Sequence, residues 1–91
     1  MGHTIYYNTE IRRWEDFKKF LKRIARGLGY SLLPEKEWII LVPDSDGVEP
    51  LKIKKSGAHS AKTYLREPYH SIYLLILYSA SAFGSVEVWE D

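Results

Sequence analysis

The feature of this sequence that most constrains its fold is a stripe of apolar residues with the spacing of an α-helix. Between residues 13 and 28, apolar side chains recur at intervals of three and four: Trp14, Phe17, Phe20, Leu21, Ile24, Ala25 and Leu28. Residues at these intervals share one face of a helix, so residues 13–28 are predicted to form an amphipathic helix. Gly27 and Gly29 stand at its end, and one of them is expected to adopt the left-handed conformation that terminates helices.

Short segments with strand character lie on both sides of this helix. Four segments that alternate, or that are rich in β-branched and aromatic residues, predict strands at residues 3–8, 38–43, 51–55 and 85–90. The turn residues 44–47 (DSDG) predict that the second and third strands form a hairpin. In the third strand, alternation places Lys52 and Lys54 on the face away from the core.

Residues 68–83 fit two interpretations. Their length, a proline at position 68, a glycine at position 84 and several good helix formers favour a second helix. The alternative is a buried strand over residues 70–80, which would place one helix on a five-stranded sheet. We take the helix as our prediction.

The resulting order, β-α-β-β-α-β, predicts one α+β domain over residues 1–91 with a ferredoxin-like fold, in which two helices cover one face of a four-stranded antiparallel sheet. The predicted core includes Trp14, Phe17, Leu21, Ile24, Leu28, Ile40, Leu75 and Val88. The second strand (WIILV) has apolar residues on both faces, and Trp89 alternates away from its apolar neighbours. This excess of apolar surface predicts a homodimer formed through the sheet.

Composition narrows the setting of the protein. The chain has 91 residues, 45% of them hydrophobic, and no cysteine, which excludes disulfides, cysteine-based zinc sites and thiol nucleophiles. The N-terminal residues lack a signal-peptide pattern, so we expect a cytoplasmic protein without membrane contact. The absence of glutamine and the single asparagine, beside abundant charged residues, are typical of hyperthermophiles and suggest an archaeal source.

Charge is uneven along the chain although the net charge is only +1. Residues 11–30 contain seven Lys and Arg against two acidic residues, and residues 51–70 contain five against one. Such basic segments favour nucleic acid or a phosphorylated small molecule as the partner. The alternative is a solvated basic helix face, which is common in thermophilic proteins.

The most polar stretch, residues 56–70, supplies the candidate ligand site. No period is visible in residues 56–67, which are predicted to be a loop, and irregular loops of this length often have a function. The predicted ligand-binding residues are His59, Ser60, Lys62, Thr63, Arg66 and His70. Cationic and hydroxyl side chains next to a helix N-terminus could bind an anion, and the histidines could move a proton. The alternative is a surface loop whose side chains bond to one another.

Three function classes follow from this pattern. The first, which we favour, is a non-catalytic domain that binds nucleic acid or a phosphate-bearing ligand through the basic loop. The others are a homo-oligomeric protein-interaction subunit and a small enzyme that uses residues 56–70. The sequence lacks a P-loop, an EF-hand and a nucleophile-elbow motif, and predicts neither a cofactor nor a metal.

Overall fold

The first helix, α1, forms as its apolar stripe predicts. The structure, a computed structural model, describes residues 3–91 and places α1 at Trp14–Leu28. Its buried residues are Trp14, Phe17, Leu21 and Ala25. Gly29 ends the helix in the left-handed conformation (φ 74°), which confirms the predicted role of a glycine at this end.

The second segment is also helical. The helix α2 spans Tyr69–Ser79 and continues as a 3-10 turn over Ala80–Ala82. Gly84 was predicted as the residue that ends this helix, but the helical segment already ends at Ala82. The structure needs a glycine at position 84 because a Cβ atom there would lie only 2.1 Å from the carbonyl oxygen of Glu10. Although α2 is apolar, no helix within residues 3–91 has the length and hydropathy needed to cross a membrane.

Between residues 3 and 91, six strands form two three-stranded antiparallel sheets. The strands are β1 (Thr4–Glu10), β2 (Ser31–Pro34), β3 (Trp38–Val42), β4 (Leu51–Lys54), β5 (Ser56–Lys62) and β6 (Ser85–Glu90). Sheet A has the order β5-β1-β6 and sheet B the order β2-β3-β4. The predicted hairpin is confirmed, since β3 pairs with β4. The prediction of a loop over residues 56–67 was wrong for β5, and no strand was predicted at β2.

The α+β class is confirmed, but the described part of the chain does not contain the four-stranded sheet of a ferredoxin-like fold. Lys55 alone separates β4 from β5, and at this residue the chain passes from sheet B to sheet A. β5, not β4, is the backbone partner of β1. Side chains of β1 bond to β4 instead, because the Tyr7 hydroxyl donates to the Lys52 carbonyl (2.7 Å) and the Thr9 hydroxyl to the Lys54 carbonyl (2.6 Å). Burial raises the pKa of Tyr7, so its phenol stays a donor.

The inner faces of both sheets and one side of each helix share a single core. It contains Ile5, Tyr7, Ile11, Trp14, Phe17, Leu21, Ala25, Ile39, Leu41, Leu51, Ile53, Ala61, Tyr73, Ile76, Leu77 and Ala80. Three of the predicted core residues, Trp14, Phe17 and Leu21, are buried, and Ile24 and Val88 are partly buried against the core. The prediction was wrong for Leu28 and above all for Leu75, whose exposed fraction is 67%. Ile40 is only half-buried, because it points to the outer face of sheet B.

Candidate functional site

The first half of the predicted site lies on β5, an edge strand of sheet A. Strand alternation places His59 on the face that carries the buried Ala61, and Ser60 and Lys62 on the opposite, outer face. The His59 ring lies 6.3 Å from the ring of Tyr7, at the rim of the core. The structure therefore separates His59 from Ser60 and Lys62 across the sheet.

Two of the predicted residues do come together, in a hydrogen-bonded chain that ends at a third residue. Thr63 Oγ1 lies 2.5 Å from His70 Nδ1, and His70 Nε2 lies 2.6 Å from Glu90 Oε1. Thr63 is fully buried and His70 is 5% exposed. Sequence reasoning missed Glu90, because nothing in its neighbourhood in the sequence indicates that β6 ends beside α2.

A hydroxyl, an imidazole and a carboxylate in series are the groups of a nucleophilic relay. Here the hydroxyl oxygen has no access to solvent, and it also accepts a hydrogen bond from the Leu65 N–H (3.3 Å). A substrate could not reach it in this conformation. The chain of contacts therefore joins the end of β5, the start of α2 and the end of β6.

The backbone after Thr63 is strained and exposes two apolar side chains. Tyr64 (φ 54°) and Leu65 (φ 58°) both adopt the left-handed region that non-glycine residues rarely occupy. Backbone N–H groups of Thr63 and Tyr64 both donate to the carbonyl of His3, which holds this bend. About half of each side chain, 55% for Tyr64 and 49% for Leu65, is exposed.

The N-terminus of α2, which was expected to complete an anion pocket, already has a carboxylate. The Glu67 side chain accepts hydrogen bonds from the Ser71 hydroxyl (2.6 Å) and the Ser71 N–H (3.0 Å). These two bonds lower the pKa of Glu67, the hydroxyl bond having the larger effect. Arg66 lies elsewhere, over Gly47, where a Cβ atom would stand 2.6 Å from its Nη1. That residues 59–70 bind a ligand stays a prediction.

The outer face of sheet B is the second candidate, and strand alternation predicted that two of its residues, Lys52 and Lys54, point outward. The residues of this face, which we call the sheet B face, are Ser31 and Leu33 of β2, Trp38, Ile40 and Val42 of β3, and Lys52 and Lys54 of β4. All are exposed or half-buried, while Ile39, Leu41, Leu51 and Ile53 are buried beneath them. Every position of β3 is apolar, so this strand presents apolar surface on both sides.

One lysine of this face lies over the indole of Trp38, and a second is the neighbour of Trp38 on the adjacent strand. Lys52 Nζ lies 4.5 Å from the centre of the indole ring, and Lys54 is the direct cross-strand partner of Trp38. A cation over an indole ring at this distance is a favourable contact. The strands of sheet B contribute these two positive charges to the face and no acidic residue.

Positive charge continues beyond the end of β4. Lys55 lines a surface cleft of about 270 Å³ together with Arg12 and Arg13. Two acidic residues, Glu15 and Asp16, also line this cleft. Asp16 is paired with Arg13 at 3.1 Å, and Glu15 is paired with Lys18 at 3.2 Å. The backbone N–H of Lys55 donates to the carbonyl of Glu37, so this cleft begins next to the residue that precedes Trp38.

The outer face of sheet A is of a different kind. This sheet A face consists of Tyr6, Asn8 and Glu10 of β1, Ser56, Ala58, Ser60 and Lys62 of β5, and Ser85, Glu87 and Trp89 of β6. Tyr6 and Trp89 are stacked, with ring centres 6.1 Å apart and an angle of 15° between the planes. Two acidic residues and one lysine give this face a net negative charge.

Within residues 3–91 no group of three or more His, Asp or Glu side chains is placed to hold a metal ion. Comparisons of the chain with known protein families, with curated proteins and with solved structures find no match.

Proposed function

We propose that this protein binds single-stranded nucleic acid on the sheet B face. The observation that carries the proposal is Trp38, an indole 36% exposed at the start of the central strand of sheet B, with Lys52 over its ring and Lys54 as its cross-strand partner. Proteins that bind single strands stack bases on exposed aromatic rings and attract the phosphates with nearby cations. The sheet B face offers both groups within one pair of strands.

The arrangement of the cations also supports this proposal. Lys52 and Lys54 are two residues apart on β4, which separates their Cα atoms by roughly 6.8 Å along the strand. Lys55 and the arginines of the adjacent cleft extend the basic track past the end of the strand. A strand stacked on Trp38 would meet the Lys52 ammonium group at the ring and Lys54 on the adjacent strand, and binding would be sensitive to salt.

The test compares matched variants of the two faces. Trp38→Ala removes the ring of the sheet B face, and Trp89→Ala removes that of the sheet A face. Binding of a fluorescein-labelled 12-nucleotide oligo(dT) or oligo(U) is followed by fluorescence anisotropy at several salt concentrations. We expect Trp38→Ala to weaken binding by about 1–3 kcal/mol, the usual value of one stacked base, and Trp89→Ala to leave the Kd within about twofold.

The lysines provide a second comparison. The double variant Lys52→Ala/Lys54→Ala is expected to reduce the slope of log K against log salt by about 1.4, since each single-strand phosphate contact contributes about 0.7. Lys62→Ala on the sheet A face is the control. If Lys62→Ala weakens binding and the sheet B variants do not, the basic segment 56–70 is the binding element and the sheet B face is not. Equal losses from both faces would indicate non-specific attraction.

A second candidate function, self-association, is favoured by a different surface. Helix α2 contains no Asp, Glu, Lys or Arg, and its Leu75 and Tyr78 are 67% and 55% exposed. Beside them lies a groove of about 340 Å³, lined by Phe20, Ile24, Gly27, Leu28, Ile72, Leu75, Ile76 and Ser79. Helices that are apolar on all sides are normally covered. The exposed side chains of Leu75 and Tyr78 and the groove beside them form one uncharged patch. A second copy related by a twofold axis would place its own Leu75 and Tyr78 against this patch.

This candidate places the homodimer on the helices, whereas sequence patterns predicted pairing through the sheet. Light scattering at high micromolar concentration distinguishes the two. If the helices form the interface, wild type and Leu33→Glu give twice the chain mass of 10.6 kDa, and Leu75→Glu gives the monomer mass. A monomeric Leu33→Glu beside a dimeric Leu75→Glu would identify the sheet B face as the interface. A monomeric wild type would exclude both.

A further inference from the structure

A cleft between α1 and β2 combines an apolar floor with a cationic wall. Its floor is formed by Leu32 and Pro34 of β2 and by Ile39 of β3, and its volume is about 300 Å³. The wall is a stripe of α1 residues: Glu15, Lys18, Lys19 and Lys22. This lysine cleft lies on the inner side of sheet B, so it is separate from the sheet B face.

The cleft forms because a lysine-rich side of α1 lies against apolar residues of β2 and β3. Residues 15, 18, 19 and 22 are spaced by three and four, which places them on one side of α1 next to its buried stripe. That side lies over the inner face of the edge strand β2, where Leu32 is only half-buried. An apolar side of α1 would close over this strand. Lysine side chains leave a gap with their ammonium groups at its rim.

The charges of the wall are only partly satisfied. Lys18 is paired with Glu15 at 3.2 Å, and its Nζ lies 5.8 Å from the centre of the Trp14 ring. The ion pairs found within residues 3–91 do not include Lys19 or Lys22. Three lysines against one glutamate leave the cleft with a net positive charge.

We propose that the lysine cleft binds a small amphiphilic anion, a free molecule with a slender apolar chain or ring and a phosphate, sulfate or carboxylate group at one end. The apolar part lies on Leu32, Pro34 and Ile39, and the anionic group meets the ammonium groups of Lys19 and Lys22. A volume of about 300 Å³ is at the lower end of the range for ligand pockets, which suits one short chain or ring system. A purely apolar ligand would leave the lysines unpaired, and a free inorganic anion would leave the floor exposed to water. Neither fits both halves of the cleft.

Three probes separate the contribution of the apolar chain from that of the anionic group: decyl phosphate has both, decanol has only the chain, and inorganic phosphate has only the anion. Each is titrated into the full chain below the micellar concentration, and binding is followed by calorimetry and by amide shifts in NMR spectra. We expect decyl phosphate to shift amides at residues 18–22 and 31–34 and to bind at least tenfold more tightly than decanol. Inorganic phosphate is expected to bind weakly. Shifts confined to the groove beside Leu75, or decanol binding as tightly as decyl phosphate, would overturn the proposal.

Paired variants of the same helix provide the control. Lys19→Ala/Lys22→Ala removes the two lysines of the cleft that form no ion pair within residues 3–91, and Arg23→Ala/Arg26→Ala removes two exposed cations outside the cleft. Both substitutions introduce a good helix former, so the fold is retained. We expect the lysine variant to weaken decyl phosphate binding at least tenfold and the arginine variant to change it less than twofold. Equal losses would mean that the charge of the whole helix, and not the cleft, attracts the anion. No detectable binding by the wild type would mean that the lysines only cover the apolar floor.

Discussion

The two sheets share one core, yet their outer faces have little in common. On the sheet A face, the aromatic side chains Tyr6 and Trp89 are stacked on each other among serine, asparagine and acidic residues. On the sheet B face, Trp38 stands among aliphatic side chains and has lysines for neighbours. The two rings of the sheet A face contact each other, whereas Trp38 of the sheet B face contacts the ammonium group of Lys52.

The difference originates in the central strands of the two sheets. β1 alternates between buried and exposed positions, so only its inner face is strongly apolar. β3 is apolar at all five positions, and its outer residues cannot all be buried in a domain with one core. An open face like that of sheet A, which is mostly polar, needs no partner. An open face like that of sheet B, which keeps apolar residues exposed, is the better candidate for binding.

The largest effect is expected where the two sheets are joined. Tyr7→Phe leaves the Lys52 carbonyl without its donor, and Thr9→Val does the same to the Lys54 carbonyl. Each unpaired and partly buried carbonyl costs about 1–3 kcal/mol of unfolding free energy. Guanidinium unfolding measures the loss. Tyr6→Phe, on the outer face, is the matched control and should change stability by less than about 0.5 kcal/mol. A Tyr7→Phe variant as stable as wild type would mean that the sheets are held together by core packing alone.

An intermediate effect is expected from double-mutant cycles on the two aromatic contacts. The stacked pair Tyr6–Trp89 should show a coupling energy of about 0.5–1.5 kcal/mol, because stacked rings stabilise each other beyond their burial. The exposed Trp38–Lys52 contact should show about 0.5–1 kcal/mol at most. Thermal or denaturant unfolding of the single and double variants gives both values. A larger coupling on sheet B would mean that Trp38 is a structural residue, which would weaken its assignment to a binding face.

The smallest effect is expected at acidic pH and only in sheet A. The Thr4 N–H donates to Asp91 Oδ1 at 3.1 Å, and this bond lowers the pKa of Asp91. A carboxyl group with a lowered pKa contributes stability that is complete above the pKa of the unfolded chain and is lost as the pH falls through the folded pKa. Amide exchange, corrected for its intrinsic pH dependence, should therefore lose protection at Thr4 below about pH 4, before it does at Leu41 in sheet B.

Asp91→Asn is the control for this prediction. It removes the titrating group and keeps an oxygen acceptor, so protection at Thr4 should be weaker at neutral pH and independent of pH in this range. Simultaneous loss of protection at Thr4 and Leu41 in the wild type would mean that acid unfolds the whole domain and that the contact of Asp91 is not involved.

Local patterns were sufficient for the elements whose side chains alternate or recur regularly. The stripe from Trp14 to Leu28 predicted α1, and Pro68 with the helix formers after it predicted α2, because a helix is stabilised by residues close in sequence. The same reasoning placed Lys52 and Lys54 on the outer side of β4, where they now border the candidate binding face. The count of charges along the chain also identified the basic segments 11–30 and 51–70, which motivate the nucleic-acid proposal.

Only the tertiary structure decided what pairs with what. Residues 56–62 (SGAHSAK) carry almost no apolar signal, yet they form a strand because β1 supplies seven cross-strand partners. The prediction of one sheet failed at Lys55, since nothing local shows that hydroxyl groups of β1 will take the place of a strand next to β4. Leu75 and Leu77 have the same side chain two positions apart, but one is 67% exposed and the other fully buried. The sequence determined which face of each helix or strand is apolar and which is charged, because periodicity is a local property. The fold determined which of those faces stayed open, because burial depends on contacts between residues that are distant along the chain.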